Sequence, residues 1–305
     1  MTAPSADLLE ELRPATFAIA YRMLGSVTGA EDIVQETLLR VHRALREGQR
    51  IDSPRAYATT VATRLAIDQL RSARERRETY VGEWLPEPLV SDPAEDPAQR
   101  AEMADSLSLA FLVLLESLAA EQRAVLLLRD VFDYGYGEIA EIVGTSEVNA
   151  RQLATRARRH VAQRRPRFEV SQGQRDELAR RFFAATQDGE LAALEALLAQ
   201  DAVLHGDGGG KVPALARSLH GRERVARTLL AWARHGVRAG GTLRQVEVNG
   251  QPGALGLDRD GRLISVLALD ITDGQIQAVS SIVNPDKLRH VGPVGDMRAL
   301  LKRRS

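Results

Sequence analysis

Between Tyr136 and Thr155 the residue types and their spacing suit the reading of a nucleic acid. Ile139 and Val143 are spaced for the inner face of a short helix, Ala140 is small where a second helix would cross, and Gly144 occupies the turn. Ala150 and Leu153 are the inward positions of the second helix, and Ser146 is its natural N-cap. This helix-turn-helix pattern leaves Ser146, Glu147, Arg151, Gln152 and Thr155 outward, on the face that enters a major groove. Arg and Gln are side chains that make bidentate base contacts, while Arg156, Arg158 and Arg159 suit phosphates. An ordinary helical hairpin supplies Ala and Gly at the same places. Against that alternative, residues 151–167 hold seven Arg and no carboxylate.

Other residues point to other chemistry. Asp32, Gln35 and Glu36 ring Leu39 on the polar side of an amphipathic stretch, which reads either as a lone exposed Leu or as a docking patch for a partner helix. His205, Asp207 and His220 fall near the expected mouth of a C-terminal α+β domain, with Asp270 on a strand. Imidazoles and carboxylates are the residue types of general acid and base catalysis, although a surface or strand-end histidine is the plainer reading of His205. Gly208, Gly209 and Gly210 precede Lys211, as an anion-binding nest or a tight turn would require. Val212 follows Lys211 and no nucleotide-fold spacing surrounds it, so this is not a P-loop. The chain has no cysteine, which excludes disulfides, thiolate metal sites and thiol nucleophiles. No metal or cofactor is expected.

The elements that must carry these residues follow from periodicity. Ala30, Ile33, Val34, Leu38, Val41 and Leu45 form a helical stripe. Ser53 and Pro54 open a second helix reaching about Arg77, with Tyr57, Val61 and Leu65 on one face. Trp84-Leu85-Pro86-Glu87-Pro88, then Pro93 and Pro97, mark an acidic linker. Helical pattern resumes near Ala101 and lasts to about Arg165. Two short helices over Leu178 to Leu198 and another over Gly221 to His235 precede β-prone runs at Leu243 to Val248, Leu263 to Ile271 and Ile276 to Val283. Asn249-Gly250, Asp260-Gly261 and Asp273-Gly274 supply the turns between them, so the C-terminal third is α+β with an antiparallel sheet.

Of 305 residues, 44% are hydrophobic and 27% charged, which excludes a wholly disordered chain or a collagen-like one. Forty-one basic and forty-one acidic side chains give zero net charge, but the balance is local: residues 64–77 hold five Arg and 78–105 hold eight carboxylates with one Arg. Phosphate backbones respond to such local runs, although solvated helix faces carry them too. The longest apolar run, Leu107 to Leu115, is far short of the ~20 residues of a membrane span. The first residues carry no basic-then-apolar leader, so the expected setting is soluble and cytoplasmic, without a membrane partner.

Taken together, these residues carry a resemblance. Ala30 to Arg40 resembles the polymerase-docking region of extracytoplasmic-function sigma factors, which implies that Asp32, Gln35, Glu36 and Leu39 bind RNA polymerase core. Arg55 to Arg77 resembles the regions that open and read the −10 promoter element, which implies DNA contacts by Arg64, Arg71 and Arg74. The helix-turn-helix, preceded by Leu118 to Arg123, resembles sigma domain 4, the reader of the −35 element. Three further signatures match the subgroup with a SnoaL-like domain fused at the C-terminus, the SigJ type: Trp84-Leu85-Pro86-Glu87-Pro88, Asp207-Gly208-Gly209-Gly210-Lys211 and Asn284-Pro285-Asp286-Lys287-Leu288.

The resemblance implies a multidomain fold with two all-α sigma domains, the second holding the helix-turn-helix, followed by an α+β SnoaL-like cone. The expected boundaries are 1–78 for sigma domain 2, 79–104 for the linker, 105–167 for sigma domain 4, 171–292 for the cone and 293–305 for a tail. The expected function is that of a non-enzymatic sigma factor that recruits polymerase core to promoter DNA. Its control in cis would come from an interdomain contact where Trp84, Pro86, Asp207, the glycine triplet, Lys211, Asn284, Pro285, Asp286 and Lys287 meet. A small unknown ligand of the cone is a further possible partner. Two other functions stay open on residues alone: a conventional DNA-binding regulator, which leaves the Leu39 patch idle, and a cyclase or isomerase carrying a DNA-binding sensor.

Overall fold

The computed structural model describes residues 6–77, 80–91, 107–162 and 171–302. The chain divides into two compact units, Met1–Thr79 with Leu112–Arg165, and Tyr80–Phe111 with Pro166–Ser305.

The first unit is helical: α1 (Ala6–Leu24), α2 (Val27–Arg46), α3 (Pro54–Arg77), α4 (Leu109–Glu116, within which the division falls), α5 (Ala120–Asp130), α6 (Tyr136–Val143) and α7 (Glu147–Ala162). Its helix starts are those that short polar residues dictate. Ser26 Oγ accepts from Gly29 N at 3.0 Å, Ser53 Oγ from Ala56 N at 3.2 Å, and Ser146 Oγ from Asn149 N at 3.2 Å. Gly144 ends α6 with φ of 76°, a left-handed turn that a side chain would strain. The helix-turn-helix core joins Val125, Leu128, Ile139, Ile142, Ala150 and Ala154. Leu153, expected inside, is only half-buried at its margin. The inward stripe of α7 is Ala150, Ala154, Ala157 and Val161, whose small residues let the helices approach closely.

α5 is tied to α1 by Arg123. Its guanidinium is 2% exposed and donates to Leu115 O at 3.0 Å, to Glu116 Oε1 at 3.0 Å and to the carbonyl of Met23. Burial lowers its pKa to about 9, still above neutrality, so the group stays charged and paired. Thr59 on α3 and Tyr134 before α6 share a hydrogen bond of 3.0 Å.

The second unit is a seven-stranded sheet in the order β1-β4-β5-β6-β7-β2-β3, with β1 (Val90–Ser91), β2 (Leu198–Asp207), β3 (Leu219–His220), β4 (Thr242–Val248), β5 (Gln251–Leu257), β6 (Leu263–Thr272) and β7 (Gln275–Ile282). β2 and β7 run parallel and the other pairs antiparallel. Asn249-Gly250 and Asp273-Gly274 both have positive φ, as two-residue hairpins demand. α8 (Gln172–Asp188), α9 (Leu191–Leu197) and α10 (Arg222–Arg238) cover one sheet face, and a 3₁₀ turn (Pro285–Lys287) and α11 (Met297–Lys302) follow the last strand. Phe182, Phe183, Leu194, Leu229, Leu204, Leu269 and Val279 form the core between helices and sheet.

Strand alternation then sends His205 and Asp207 to the opposite face, in register with Ser280 and Ile282 of β7. That face is not open either, because Asp207, Val266 and Ile282 are fully buried. The described part of the 79–104 linker, residues 80–91, packs in the second unit and contributes β1, where Val90 pairs with Val248 and Ser91 with Glu247. His205 and Asp207 lie across the sheet from the helix-packed core. Among the described residues no helix is long and apolar enough to cross a membrane.

Candidate nucleic-acid interface and linker site

On α7, Ser146, Glu147, Arg151, Gln152, Thr155, Arg156, Arg158 and Arg159 are all exposed. Several are pre-positioned. Arg151 pairs with Glu147 at 2.5 Å and lies over the Tyr136 ring, 4.5 Å from its centroid. Thr155 Oγ1 donates back to Arg151 O at 2.9 Å. Arg158 is turned to Asp130 of α5, 2.9 Å from Nε to Oδ2, and that bond raises its pKa. The helix therefore presents an exposed cationic face, with Arg158 held at its edge against α5.

On α3, Arg64 and Arg71 are exposed yet engaged with the helix-turn-helix side of their unit. Arg64 donates from Nε to Ile142 O at 2.9 Å and from Nη2 to Glu141 O at 2.8 Å. It thereby caps the carbonyl end of α6, where the helix dipole favours a cation. Arg71 pairs through Nε at 3.1 Å, and through Nη2, with Glu121 of α5. Although burial works against it, that bond keeps the Glu121 carboxyl below its usual range. The Arg74 side chain lies outside the described residues. Tyr57 packs against the core of Leu12, Val41 and Ala58.

On α2, Asp32 and Gln35 are exposed, Glu36 pairs with Arg40 at 2.7 Å, and Leu39 is 57% exposed. The Leu39 side chain thus stands open among polar neighbours.

In the second unit the three short signatures converge on one buried carboxylate. Asp207 Oδ1 accepts from Tyr80 OH at 2.6 Å, and Oδ2 from Leu85 N at 2.9 Å and Lys287 Nζ at 2.7 Å. Lys287 also donates to Leu85 O, and its ammonium lies 4.2 Å from the Trp84 ring centroid. Asp207 and Lys287 thus grip both polar ends of one residue of the linker, with Leu85 fully buried between them. Asn284 donates to Tyr80 OH at 2.9 Å and accepts from Asp286 N at 3.1 Å, shaping the 3₁₀ turn. Gly209 must be glycine: its φ is +59°, and a Cβ there would stand 2.2 Å from Asn284 Nδ2. Lys211 forms an ion pair with Asp286, and Pro86 is buried while Pro285 is half-buried. This meeting lies inside the second unit, between the linker and the sheet.

Residues that periodicity did not flag complete the seam. Asn249, 2% exposed, bonds Leu89 N through Oδ1 and Leu107 O through Nδ2, both at 2.9 Å. His290 bonds Pro88 O at 2.7 Å. Asn249 reads from sequence only as a hairpin residue, and Tyr80 and His290 carry no local signal at all.

Beside this seam, Glu83 Oε1 lies 2.7 Å from His205 Nδ1 and accepts from Ser218 Oγ at 2.9 Å. Burial acts to raise the Glu83 pKa, but the bonds to His205 and Ser218 win and hold it low. A carboxyl depressed in the folded state contributes stability above its unfolded pKa and loses it as pH falls through the folded one. Acid denaturation followed below about pH 4 should therefore show a loss of stability that Glu83→Gln flattens. Asp270 has the opposite sign: burial raises its pKa, against the pull of His205. His220 is exposed on β3, where it pairs with Val203 of β2.

Residues 8–76, which span most of α1 to α3, match Sigma-70 region 2, and residues 108–161, α4 to α7, match Sigma-70 region 4. The chain is 38% identical over 302 residues to the ECF RNA polymerase sigma factor SigJ of Mycobacterium tuberculosis, covering 95% of each. It belongs to the ECF RNA polymerase sigma factors. A probable sigma factor of the same species, SigI, is 33% identical over 88% of this chain and 90% of its own. The crystal structure of M. tuberculosis SigJ superposes with a TM-score of 0.76 at 36% identity, covering 95% of this chain and all of that one. As an ECF sigma factor the protein binds polymerase core and promoter DNA to begin transcription, and it is not an enzyme. Among the described residues no group of three or more His, Asp or Glu is placed to hold a metal ion.

Proposed function

We propose that this sigma factor is governed by where its linker rests, and that its residues divide the work as follows. Asp32, Gln35, Glu36 and Leu39 dock on polymerase; Arg64, Arg71 and Arg74 face the −10 strand; the exposed face of α7 reads the −35 element. The C-terminal domain acts in cis on the segment between the two sigma modules, in the cytoplasm where polymerase works. The observation that carries the reading is the Asp207–Lys287 grip on Leu85, because a linker held on the sheet cannot pay out to its full reach.

Arg64 adds a second support. The promoter elements lie roughly 25 base pairs apart, on the order of 85 Å of duplex at about 3.4 Å per pair. Two modules joined by Arg64 at 2.8 Å from Glu141 O cannot straddle that distance until they part. Polymerase and DNA would therefore select an opened state.

Run-off transcription with purified core polymerase tests the control. A chain truncated after Asn284 lacks Lys287 and should initiate several-fold more than the intact chain. A chain ending at residue 167, which lacks the whole C-terminal domain, should fall below both. Unchanged output from the first truncation rejects restraint by the grip.

A further inference from the structure

Glu83 lies outside all three signatures, and its surroundings form a site in their own right. Two donors converge on its Oε1 from the sheet and its edge: His205 Nδ1 from β2 at 2.7 Å and Ser218 Oγ from the residue before β3 at 2.9 Å. His205 and Ser218 also lie 3.2 Å apart, so the receptor groups are mutually fixed. Asp270 of β6 lies on the same sheet face as His205, and the two interact electrostatically. The carboxylate itself arrives from the linker.

Its fit is incomplete. Glu83 Oε2 is buried with no hydrogen-bond partner among the described residues, and an unpaired buried acceptor is destabilising. On either side of Glu83 the chain is tethered to Asp207, through the Tyr80 hydroxyl and the Leu85 backbone N–H. A carboxylate free of that tether is not so constrained.

We propose that the seat formed by His205 and Ser218 is a binding site for a small carboxylate ligand, occupied here by Glu83 as a tethered stand-in. Entry of the ligand expels Glu83 and loosens the linker beside Trp84. The inference goes beyond the transcriptional reading and concerns binding alone, so its test reads no transcription and can fail independently.

The full chain carrying Trp232→Phe leaves Trp84 as its single tryptophan reporter. It is titrated with acetate, propionate and benzoate, and with their neutral amides, at constant ionic strength. The tethered carboxylate competes at an effective concentration on the order of millimolar, so Glu83→Ala should tighten carboxylate binding by about tenfold or more. The carboxylates should shift Trp84 fluorescence saturably in Glu83→Ala, the amides should not, and adding His205→Asn should abolish the response. Absence of saturable binding in Glu83→Ala overturns the proposal. So does an equal response to the amides, or one that survives His205→Asn.

Discussion

Lys287→Met should destabilise the C-terminal unit by about 3–5 kcal/mol, the usual penalty for removing one partner of a buried ion pair. The pair is closed to water, with side-chain exposure of 8% for Lys287 and none for Asp207. The ammonium uses its donors on the Asp207 carboxylate and the Leu85 carbonyl and rests against the Trp84 ring, so no donor needs solvent. Removing it leaves Asp207 charged and buried, and leaves Leu85 O without its cation. Denaturant unfolding followed by Trp84 fluorescence in the Trp232→Phe chain measures the loss. Asp207→Asn combined with Lys287→Met removes the stranded charge and should recover a large part of it. A single-variant effect below about 1 kcal/mol would mean the grip does not form in solution.

Tying α3 to α6 should abolish initiation altogether. The chain has no cysteine, so Arg64→Cys with Glu141→Cys creates the sole thiols. These positions meet through the Arg64 bond to Glu141 O. A cleavable bismaleimide joining them holds the sigma modules together, and run-off transcription should vanish on cross-linking and return on reduction. The same molecules before and after cleavage serve as their own reference, which separates the tether from the loss of Arg64. Full activity in the cross-linked state would refute the need for opening.

Local rules made much of this protein legible. The Ser caps, the Gly144 turn and the hairpins at Asn249-Gly250 and Asp273-Gly274 each depend on a few adjacent residues, and all appear where their chemistry demands. β2 and β5 did not announce themselves. β5 contains Pro252, Gly253 and Gly256, which read as breakers. Only strand pairing explains Gly253, where a Cβ would stand 2.3 Å from Leu267 O of β6. Leu153 and Ala154 exchanged roles because neighbouring helix positions differ by about 100° of rotation, and packing against α5 and α6 selected the smaller residue.

Residue types and spacing alone carried the helix-turn-helix register with its exposed cationic face and the exposed Leu39, while resemblance of the short motifs to a known family implied the family and the three signatures as a set. Tertiary structure alone decided what those groups touch. Arg64 and Arg71 are committed to α6 and Glu121, Asp207 is buried beneath a linker over a hundred residues away in sequence, and Glu83 finds His205 and Ser218. The physical reason is range. Caps and turns are settled within a few bonds of the chain, whereas the pairing of a buried charge depends on which distant segment arrives to exclude water from it.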